Sequence, residues 1–466
     1  MDTPSIESLL RALPAVQRLL EETEIRDLQT QFGRDAVLSA ARETVAALRT
    51  RILAGESPFN GSGADPSSLV AQQVASQVRK RFSGGVRRVI NATGVILHTG
   101  LGRAVLPEAA IRDIVKELSG FAAVEVDVES GTRGHRDDTV RDLVTTLLGC
   151  DDATIVNNNA AATMLALAAL ARGKEVIVSR GQLVEIGGSF RVPDVMRESG
   201  CRLVEVGTTN RTYVHDYEAA ITAETAALML VHTSNFRIVG FTTEPTVREM
   251  AELARKHQLP LLYDIGSGAL LPGLADELRE EPVVKQALDD GADLVLFSAD
   301  KILGAAQGGI AAGKSHLVEK LRRHPLYRAF RMDKLTLRVV ETTLQLYLDP
   351  EKRAAQIPTL RMLRRTLASI SDEAAALATA ITRAVPGIEA LCLEDSSRLG
   401  SGSLPERNIP TRVVSLRHAT LSAEQLGARL RAHTPPIFTR IQDGLVYIDP
   451  RTLLPGDGDE IVRALQ

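Results

Sequence analysis

Between about residues 86 and 315, short apolar runs alternate with stretches of helical character. The apolar runs, four or five residues each, are 153–156, 175–178, 202–206, 227–231, 260–263 and 294–297. The segments between them that have helical spacing are 160–172, 189–200, 244–257 and 283–290. Strands that alternate with helices in this way predict a mainly parallel sheet with helices on both faces.

The N-terminal segment has a different pattern of apolar residues. Apolar residues recur at three- and four-residue steps over residues 1–55, which predicts helices. The stretch 56–68 is rich in Pro, Gly, Ser and Asn and predicts a linker or loop, and a further helix is expected at 68–82. This part of the chain therefore reads as a helical domain that precedes the alternating region.

Beyond the alternating region, long helices are expected over 316–350 and 352–385. Strand and helix signals then mix over 386–466, which predicts a small α/β domain. Taken together, the patterns predict three domains, helical at 1–70, large α/β at 71–350 and small C-terminal α/β at 351–466.

Composition excludes several classes of protein. The 466 residues carry a formal net charge of -3, so a uniformly basic nucleic-acid binder is disfavoured and any polyanion must meet a local patch. Aromatic residues make up 3% and Trp is absent, which disfavours aromatic stacking platforms. The three cysteines are far apart, with no disulfide or metal-binding spacing. With no signal peptide and no apolar run of transmembrane length, we expect a cytoplasmic protein without a membrane partner.

A lysine follows the last of the apolar runs, in the string Ser298-Ala299-Asp300-Lys301, and a glycine-rich stretch comes after it. An amine just past the carboxyl end of a strand lies where α/β sheets bind ligands, and a desolvated lysine there can form a Schiff base. Ser298 is placed to hydrogen bond a phosphate. Taken alone, a lysine in such a loop is more often an exposed residue without a catalytic role.

An aspartate earlier in the chain favours a catalytic role for this lysine. Asp264 ends another apolar run, 37 positions before Lys301. A carboxylate there can pair with a pyridinium nitrogen and keep the ring of pyridoxal phosphate protonated, so that the ring accepts electrons from a carbanion. The alternative is an aspartate that caps the next turn. A strand with Asp followed by a strand with Lys is typical of fold-type-I pyridoxal enzymes.

A third feature is an apolar run that leads through three asparagines into an alanine-rich helix. Small residues at a helix start let an anion approach free N–H groups, so we expect Asn159, Ala160 and Ala161 to bind the cofactor phosphate. The alternative is that Asn159 only caps the helix. Asn235, after a further strand, is a candidate for the ring hydroxyl, although its segment is equally compatible with a turn.

With these residues together, the sequence resembles the bacterial selenocysteine synthases, the L-seryl-tRNA(Sec) selenium transferases. The strings that carry the resemblance span nearly the whole chain: 87–103, 129–136, 184–190, 232–237, 264–268 and 298–301. One departure follows the lysine, where the family usually has Gly-Gly-Pro-Gln and this chain has Gly304-Ala305-Ala306-Gln307. We expect the turn to survive with altered backbone freedom.

The resemblance implies a fold-type-I enzyme with pyridoxal 5'-phosphate on Lys301. It implies conversion of L-seryl-tRNA(Sec) to L-selenocysteinyl-tRNA(Sec) by loss of water and addition of selenium from selenophosphate. It also implies a homo-oligomeric ring, a pentamer of dimers, and an N-terminal domain that grips the tRNA. Because residues 1–55 are not basic, such recognition would use a local face or shape. The alternatives are an oligomer-packing N-terminal domain, a pyridoxal lyase or aminotransferase for a small amino or sugar acid, and a non-catalytic tRNA-binding protein.

The expected catalytic residues are Lys301, as cofactor anchor and general base, and Asp264, with Asp300 either tuning Lys301 or acting as a polar loop residue. A phosphorylated selenium donor needs cationic partners. Arg103 lies in a glycine-flanked turn, and Arg328 and Arg331 are three residues apart, which on a helix places both on one face. We expect these arginines to form a substrate anion pocket.

Overall fold

The computed structural model describes residues 5–59, 65–82, 84–186, 190–401 and 408–466. The chain forms two compact units, residues 1–88 and 89–466. Part of the linker predicted at 56–68, and residues 187–189 of the motif at 184–190, lie outside the described residues. No described helix is long and apolar enough to cross a membrane. Among the same residues, no group of three or more His, Cys, Asp and Glu side chains could hold a metal ion.

The first unit is helical, as predicted for the N-terminal segment. Its helices are α1 (Ile6–Arg11), α2 (Val16–Glu21), α3 (Thr23–Phe32), α4 (Arg34–Leu53) and α5 (Pro66–Phe82). Leu19, Ile25, Leu48 and Val74 are fully or almost fully buried in one shared core. Since α5 packs its apolar face against α3 and α4, the boundary predicted at residue 70 falls inside this unit, which continues to Arg88.

A seven-stranded sheet forms the centre of the second unit, in the order β2-β10-β9-β8-β7-β3-β6. Its strands are β2 (Asp152–Val156), β3 (Glu175–Ser179), β6 (Arg202–Val206), β7 (Thr225–Val231), β8 (Leu261–Gly266), β9 (Leu294–Ser298) and β10 (Gly309–Gly313). Six of these contain the apolar runs of the sequence. The sheet is parallel except at β10, which is antiparallel to both of its neighbours.

Helices cover both faces of this sheet, and three apolar clusters lie between the sheet and the helices. The helices that precede or alternate with the strands are α6 (Glu108–Glu117), α7 (Asp138–Leu148), α8 (Asn159–Ala171), α9 (Val192–Ser199), α10 (Val214–Ala220), α11 (Val247–Lys256) and α12 (Val284–Asp289). The helices after the sheet are α13 (Ser315–Arg323), α14 (Pro325–Ala329), α15 (Lys334–Tyr347), α16 (Pro350–Gln356), α17 (Pro358–Leu363) and α18 (Leu367–Ala384). Prolines at the starts of α14, α16 and α17 divide the two long helices expected from sequence.

The C-terminal part contains a four-stranded antiparallel sheet, β11-β12-β15-β14, with helices against it. Its elements are β11 (Ile388–Ser397), β12 (Ile409–His418), α19 (Ala423–Ala432), β13 (Ile437–Phe438), β14 (Arg440–Gln442), β15 (Leu445–Ile448) and α20 (Asp457–Leu465). The short β1 (Ile90–Asn91) pairs with β13, and Ile90 is buried in the core of this part. Residues near 90 thus pack with the C-terminal sheet rather than only with the large sheet. A small hairpin, β4 (Glu185–Ile186) with β5 (Phe190–Arg191), completes the strands.

Candidate active site

A cavity of about 280 Å³ lies at the carboxyl ends of the central strands β7, β8 and β9. Its polar lining includes Arg103, Asn158, Asn159, His232, Ser234, Asp264, Ser298, Asp300, Lys301 and Gln307. Parallel strands bring their carboxyl ends to one edge of a sheet, and ligands of α/β proteins bind there. Topology therefore assembles the lysine, the aspartate and the helix start that are separate in sequence.

Lys301 lies in the turn after β9 and is 6% exposed. Burial holds the pKa of its amine below the ordinary value, and the nearby carboxylates of Asp300 and Asp264 act in the opposite direction. A buried lysine with a lowered pKa is neutral at a lower pH than a surface lysine, which a nucleophilic amine requires. The interpretation of Lys301 as an exposed loop residue is wrong.

Backbone hydrogen bonds fix the turn that carries the lysine. The Gly304 N–H donates to the Lys301 carbonyl at 3.0 Å, and the Ala305 N–H donates to the Ala299 carbonyl at 2.9 Å. Gly304 has a φ of 83°, a left-handed conformation that favours glycine. Ala305, where the family usually has glycine, is 1% exposed and is accommodated in this turn. The turn forms despite the departure from the family pattern.

Asp264, in β8, is 5% exposed and has both carboxylate oxygens hydrogen bonded. The Asn159 amide donates to Oδ1 and the Thr163 hydroxyl donates to Oδ2, each at 2.8 Å. Burial raises the pKa of this carboxyl, while the bonds from Thr163 and Asn159 and the charge of Lys301 lower it. The side chain points to the start of α8 rather than capping the turn that follows β8. Thr163 was not predicted as a site residue, although it is four positions after Asn159 on one helix face.

The start of α8 reaches the same cavity. Asn158, not Asn159, caps the helix, since its side chain accepts the Ala161 N–H at 2.8 Å. Asn159 is therefore available to bond Asp264, and the alternative that it merely caps the helix is wrong. Ala160 lines the cavity at the positive end of the helix, whereas the Ala161 N–H is already bonded to the cap.

Two polar atoms in this cavity are buried without a hydrogen-bond partner among the described residues, Asn159 Oδ1 and Ser234 Oγ. Buried polar atoms are almost always bonded, so such orphans indicate that a polar ligand belongs there. Ser298 lines the same space and is 6% exposed. These groups fit pyridoxal phosphate. The buried amine suits its aldehyde, the buried carboxylate its ring nitrogen and the helix start its phosphate, and the unpaired hydroxyl and amide atoms suit its ring hydroxyl.

The residues after β7 are arranged differently from the prediction. Asn235 does not belong to the cavity lining, because its amide donates to the Glu185 carbonyl at 2.6 Å. His232 and Ser234 line the cavity instead. The His232 Nδ1 lies 3.1 Å from the Ile265 carbonyl, which only accepts, so Nδ1 is the donor in this hydrogen bond.

The three predicted anion-binding arginines lie in two places. Arg103 lines the cavity of Lys301 and donates to Asp300 at 2.6 Å. Arg328 and Arg331 line a second cavity of about 390 Å³, together with Arg136. The prediction that one helix carries both residues is wrong, since α14 ends at Ala329. They still face one cavity because the chain turns directly after the helix.

A backbone hydrogen bond joins the segments that line the two cavities. The Asn157 N–H donates to the Phe330 carbonyl at 2.9 Å. Asn157 immediately precedes the asparagines of the Lys301 cavity, and Phe330 lies between Arg328 and Arg331. This backbone bond places the two arginines beside the start of α8.

Comparison with known proteins identifies the family. The model of the L-seryl-tRNA selenium transferase family matches residues 89–454, and the model for the selenocysteine synthase N terminal matches residues 10–49. The chain belongs to the L-seryl-tRNA selenium transferase family. The relative from Alkaliphilus metalliredigens, named L-seryl-tRNA(Sec) selenium transferase, is 45% identical over 459 residues, which are 98% of each chain. One of the same name from Geobacter sulfurreducens is 43% identical over 460 residues, covering 98% of this chain and 99% of the relative.

Family membership makes this chain a transferase that depends on pyridoxal phosphate. The solved structure of D-glucosaminate-6-phosphate ammonia-lyase has a TM-score of 0.56 and 22% identity to this chain, covering 83% of this chain and 96% of its own. At that identity the similarity shows the fold, which is the predicted fold-type-I α/β architecture. Because relatives named as selenium transferases match over almost the full length, the alternative of a non-catalytic tRNA-binding protein loses its support.

Proposed function

We propose that this chain converts L-seryl-tRNA(Sec) to L-selenocysteinyl-tRNA(Sec) with pyridoxal 5'-phosphate on Lys301 and selenium from selenophosphate. The observation that carries the proposal is the pair of Asp264, in β8, and Lys301, just after the adjacent β9, both buried and lining one cavity. The match to the selenium transferase family supports this reaction for a site built on that pair.

Each part of the cofactor has a protein group to hold it. The Lys301 amine would bind the aldehyde carbon, and the Asp264 carboxylate would accept a hydrogen bond from the protonated ring nitrogen. The N–H groups at Asn159 and Ala160, with the Ser298 hydroxyl, suit the phosphate. The Ala161 N–H is bonded to the Asn158 side chain, so Ala161 would hold the start of the helix in place rather than bind the phosphate itself. When bound, pyridoxal phosphate supplies an electron sink for negative charge at the α-carbon of the seryl group.

Lys301 would then handle the proton. Burial lowers the pKa of its amine, which favours the neutral form that a general base requires. Once released from the cofactor, the amine would take the α-proton of the seryl group and give a proton to the β-hydroxyl, which departs as water. Asp300 limits the fall of that pKa and, through its ion pair with Arg103, keeps a cation beside the amine. Asp300 is thus a positioning residue in this proposal.

Arginines would hold the selenium donor. Selenophosphate is an anion, and Arg328 and Arg331 offer guanidinium groups on one cavity that borders the asparagine segment. Arg103 would meet the anionic groups nearest Lys301, since a guanidinium has five donors and Asp300 does not use them all. Ser234 lines the cavity and Asn235 does not, so Ser234 is the better placed hydrogen-bonding partner for the ring hydroxyl.

The remaining parts of the proposal concern assembly. We assign recognition of the tRNA to the N-terminal helices, predicted over 1–70 and extended by α5, because this unit has its own core and matches the selenocysteine synthase N-terminal model. We further propose a homo-oligomer, a decamer built as a pentamer of dimers, working in the cytoplasm. With the boundary of the N-terminal unit at Arg88, residues 89–350 and 351–466 would form the large and small catalytic domains.

The test is conversion of seryl-tRNA(Sec) by the purified protein with pyridoxal phosphate and selenophosphate, followed by analysis of the amino acid on the tRNA. We expect selenocysteine on tRNA(Sec) and none on an ordinary seryl-tRNA. Serine that stays unchanged, or ammonia release from a small amino or sugar acid in place of conversion, would overturn the proposal. Sedimentation of the same preparation gives the oligomeric state.

A further inference from the structure

Thr163 makes an unusual pair of contacts for a helical threonine. It lies one turn into α8 and is 0% exposed. Its hydroxyl is 3.0 Å from the Asn159 carbonyl, the usual bond to the residue four positions earlier, and 2.8 Å from Asp264 Oδ2. A single hydroxyl proton must choose between these two acceptors. A bond to an ionised carboxylate is roughly twice as strong as a neutral one, so the proton points to Asp264.

Asn159 completes the arrangement from the other side. Its amide N–H donates to Asp264 Oδ1 at 2.8 Å, so one helix supplies a donor to each carboxylate oxygen. Each oxygen of a carboxylate can accept two hydrogen bonds, which leaves capacity for a ligand. Two fixed donors also define the plane of the carboxylate. Without them, a side chain that is 5% exposed would take up a proton far more readily, since burial disfavours its charge.

We propose that Thr163 is a positioning residue: with Asn159, its hydroxyl keeps Asp264 an oriented carboxylate, so that the ring nitrogen of bound pyridoxal phosphate stays protonated. This rests on the proposed function in that it takes Asp264 as the partner of the ring nitrogen. It goes further in assigning the control of that proton to a residue that does not touch the cofactor.

The chain offers a matched control for the helical part of the contact. Thr343, in α15, is also 0% exposed, and its hydroxyl donates to the Val339 carbonyl, four positions earlier, at 2.7 Å. Each of Thr163 and Thr343 is fully buried in a helix with the carbonyl four residues earlier within hydrogen-bond distance, and they differ in that Thr163 also reaches a carboxylate. Comparing Thr163→Val with Thr343→Val separates that carboxylate bond from the loss of a buried helical hydroxyl.

The direct measurement is the nitrogen-15 chemical shift of the ring nitrogen, followed against pH in holoenzyme loaded with nitrogen-15-labelled pyridoxal phosphate. In Thr163→Val, Asp264 loses a donor and is protonated at higher pH, so the ring nitrogen releases its proton at lower pH than in the wild type. We expect kcat to fall about ten-fold, the effect of losing one hydrogen bond to a charged group, with KM for seryl-tRNA(Sec) changed less than about two-fold.

Thr163→Ser keeps the hydroxyl and should restore the wild-type titration, and Thr343→Val should not change it. If Thr163→Val fails to fold, Thr163→Ala gives the same comparison without the added methyl group. A ring-nitrogen titration that is the same with and without the Thr163 hydroxyl would overturn the proposal. The titration contains no tRNA or selenium donor. Failure of the conversion assay would therefore overturn the proposed function while this result still decides the role of Thr163.

Discussion

The Arg103 guanidinium donates a 2.6 Å hydrogen bond to the carboxylate of Asp300, the residue directly before Lys301. Arg103 adopts a left-handed backbone with φ of 62° after Gly102, so its turn is strained to present the side chain there. The Asp300 side chain is 11% exposed and that of Arg103 is 35% exposed. The pair therefore places a carboxylate and a partly accessible cation beside the reactive amine.

The first prediction concerns this ion pair. Burial lowers the pKa of Lys301 and the charge of Asp300 opposes that effect, so Asp300→Asn should lower the pKa further. Loss of the partner also leaves the positive charge of Arg103 unbalanced, which acts in the same direction. Because an amine with a lower pKa is neutral at lower pH, we expect the acid limb of cofactor binding by the apoprotein to shift to lower pH. The exposed Asp142→Asn is the control, and a shift to higher pH would contradict the account.

The second prediction concerns the arginines of the neighbouring cavity. Arg328→Ala and Arg331→Ala should each raise KM for selenophosphate about ten-fold or more, since each loses a hydrogen bond to a charged ligand. Affinity for pyridoxal phosphate should stay the same, because neither residue lines the cavity of Lys301. Steady-state kinetics at varied selenophosphate measures this. Arg323→Ala, an exposed arginine of α13, serves as the control, and an equal effect there would argue against a donor site.

A third prediction concerns the buried ion pairs of Arg322, one of which involves Asp137 in the lining of that cavity. Arg322 donates to Asp152 Oδ2 at 2.5 Å and to Oδ1 at 2.9 Å, and it lies 3.4 Å from Asp137 Oδ2. Arg322→Met leaves two largely buried carboxylates without their cation, so we expect a loss of about 3–5 kcal/mol in the free energy of unfolding. Denaturant unfolding measures it. Arg323→Met should cost little, and equal losses in the two variants would contradict this interpretation.

A fourth prediction concerns the N-terminal unit. Its core is formed by residues of its own helices, so removal of residues 1–88 should leave the catalytic unit folded and able to bind pyridoxal phosphate. The truncated protein should lose its selective binding of tRNA(Sec), measured as a gel shift against another seryl-tRNA. Unchanged selectivity would move tRNA recognition to residues 89–466.

Much of the large sheet could be predicted because most of its strands are apolar runs buried on both faces. The pair of Asp264 and Lys301 followed from their positions at strand ends, which a parallel sheet brings to one edge. The antiparallel β10 consists mainly of Gly and Ala, which are weak strand formers, so the sequence predicted neither this strand nor its direction. In β11 exposed and partly buried residues are mixed, which hides the strand from any search for apolar runs.

The details of the site depended on contacts that sequence spacing does not contain. Three consecutive asparagines could not reveal that Asn158 caps α8 while Asn159 bonds Asp264. Ser234 and Asn235 both follow β7, and only the turn geometry shows that Ser234 lines the cavity while Asn235 bonds the Glu185 carbonyl. Arg328 and Arg331 have helical spacing, but the helix ends between them.

The most direct test of the account is the site of covalent attachment of the cofactor. Borohydride reduction of the holoenzyme fixes the bond between the cofactor aldehyde and its amine, and peptide mass spectrometry then locates the modified residue. The account predicts one pyridoxyl group per chain, on Lys301, and none in Lys301→Ala. A pyridoxyl group on any other lysine, or undiminished seryl-tRNA(Sec) conversion by Lys301→Ala, would contradict it.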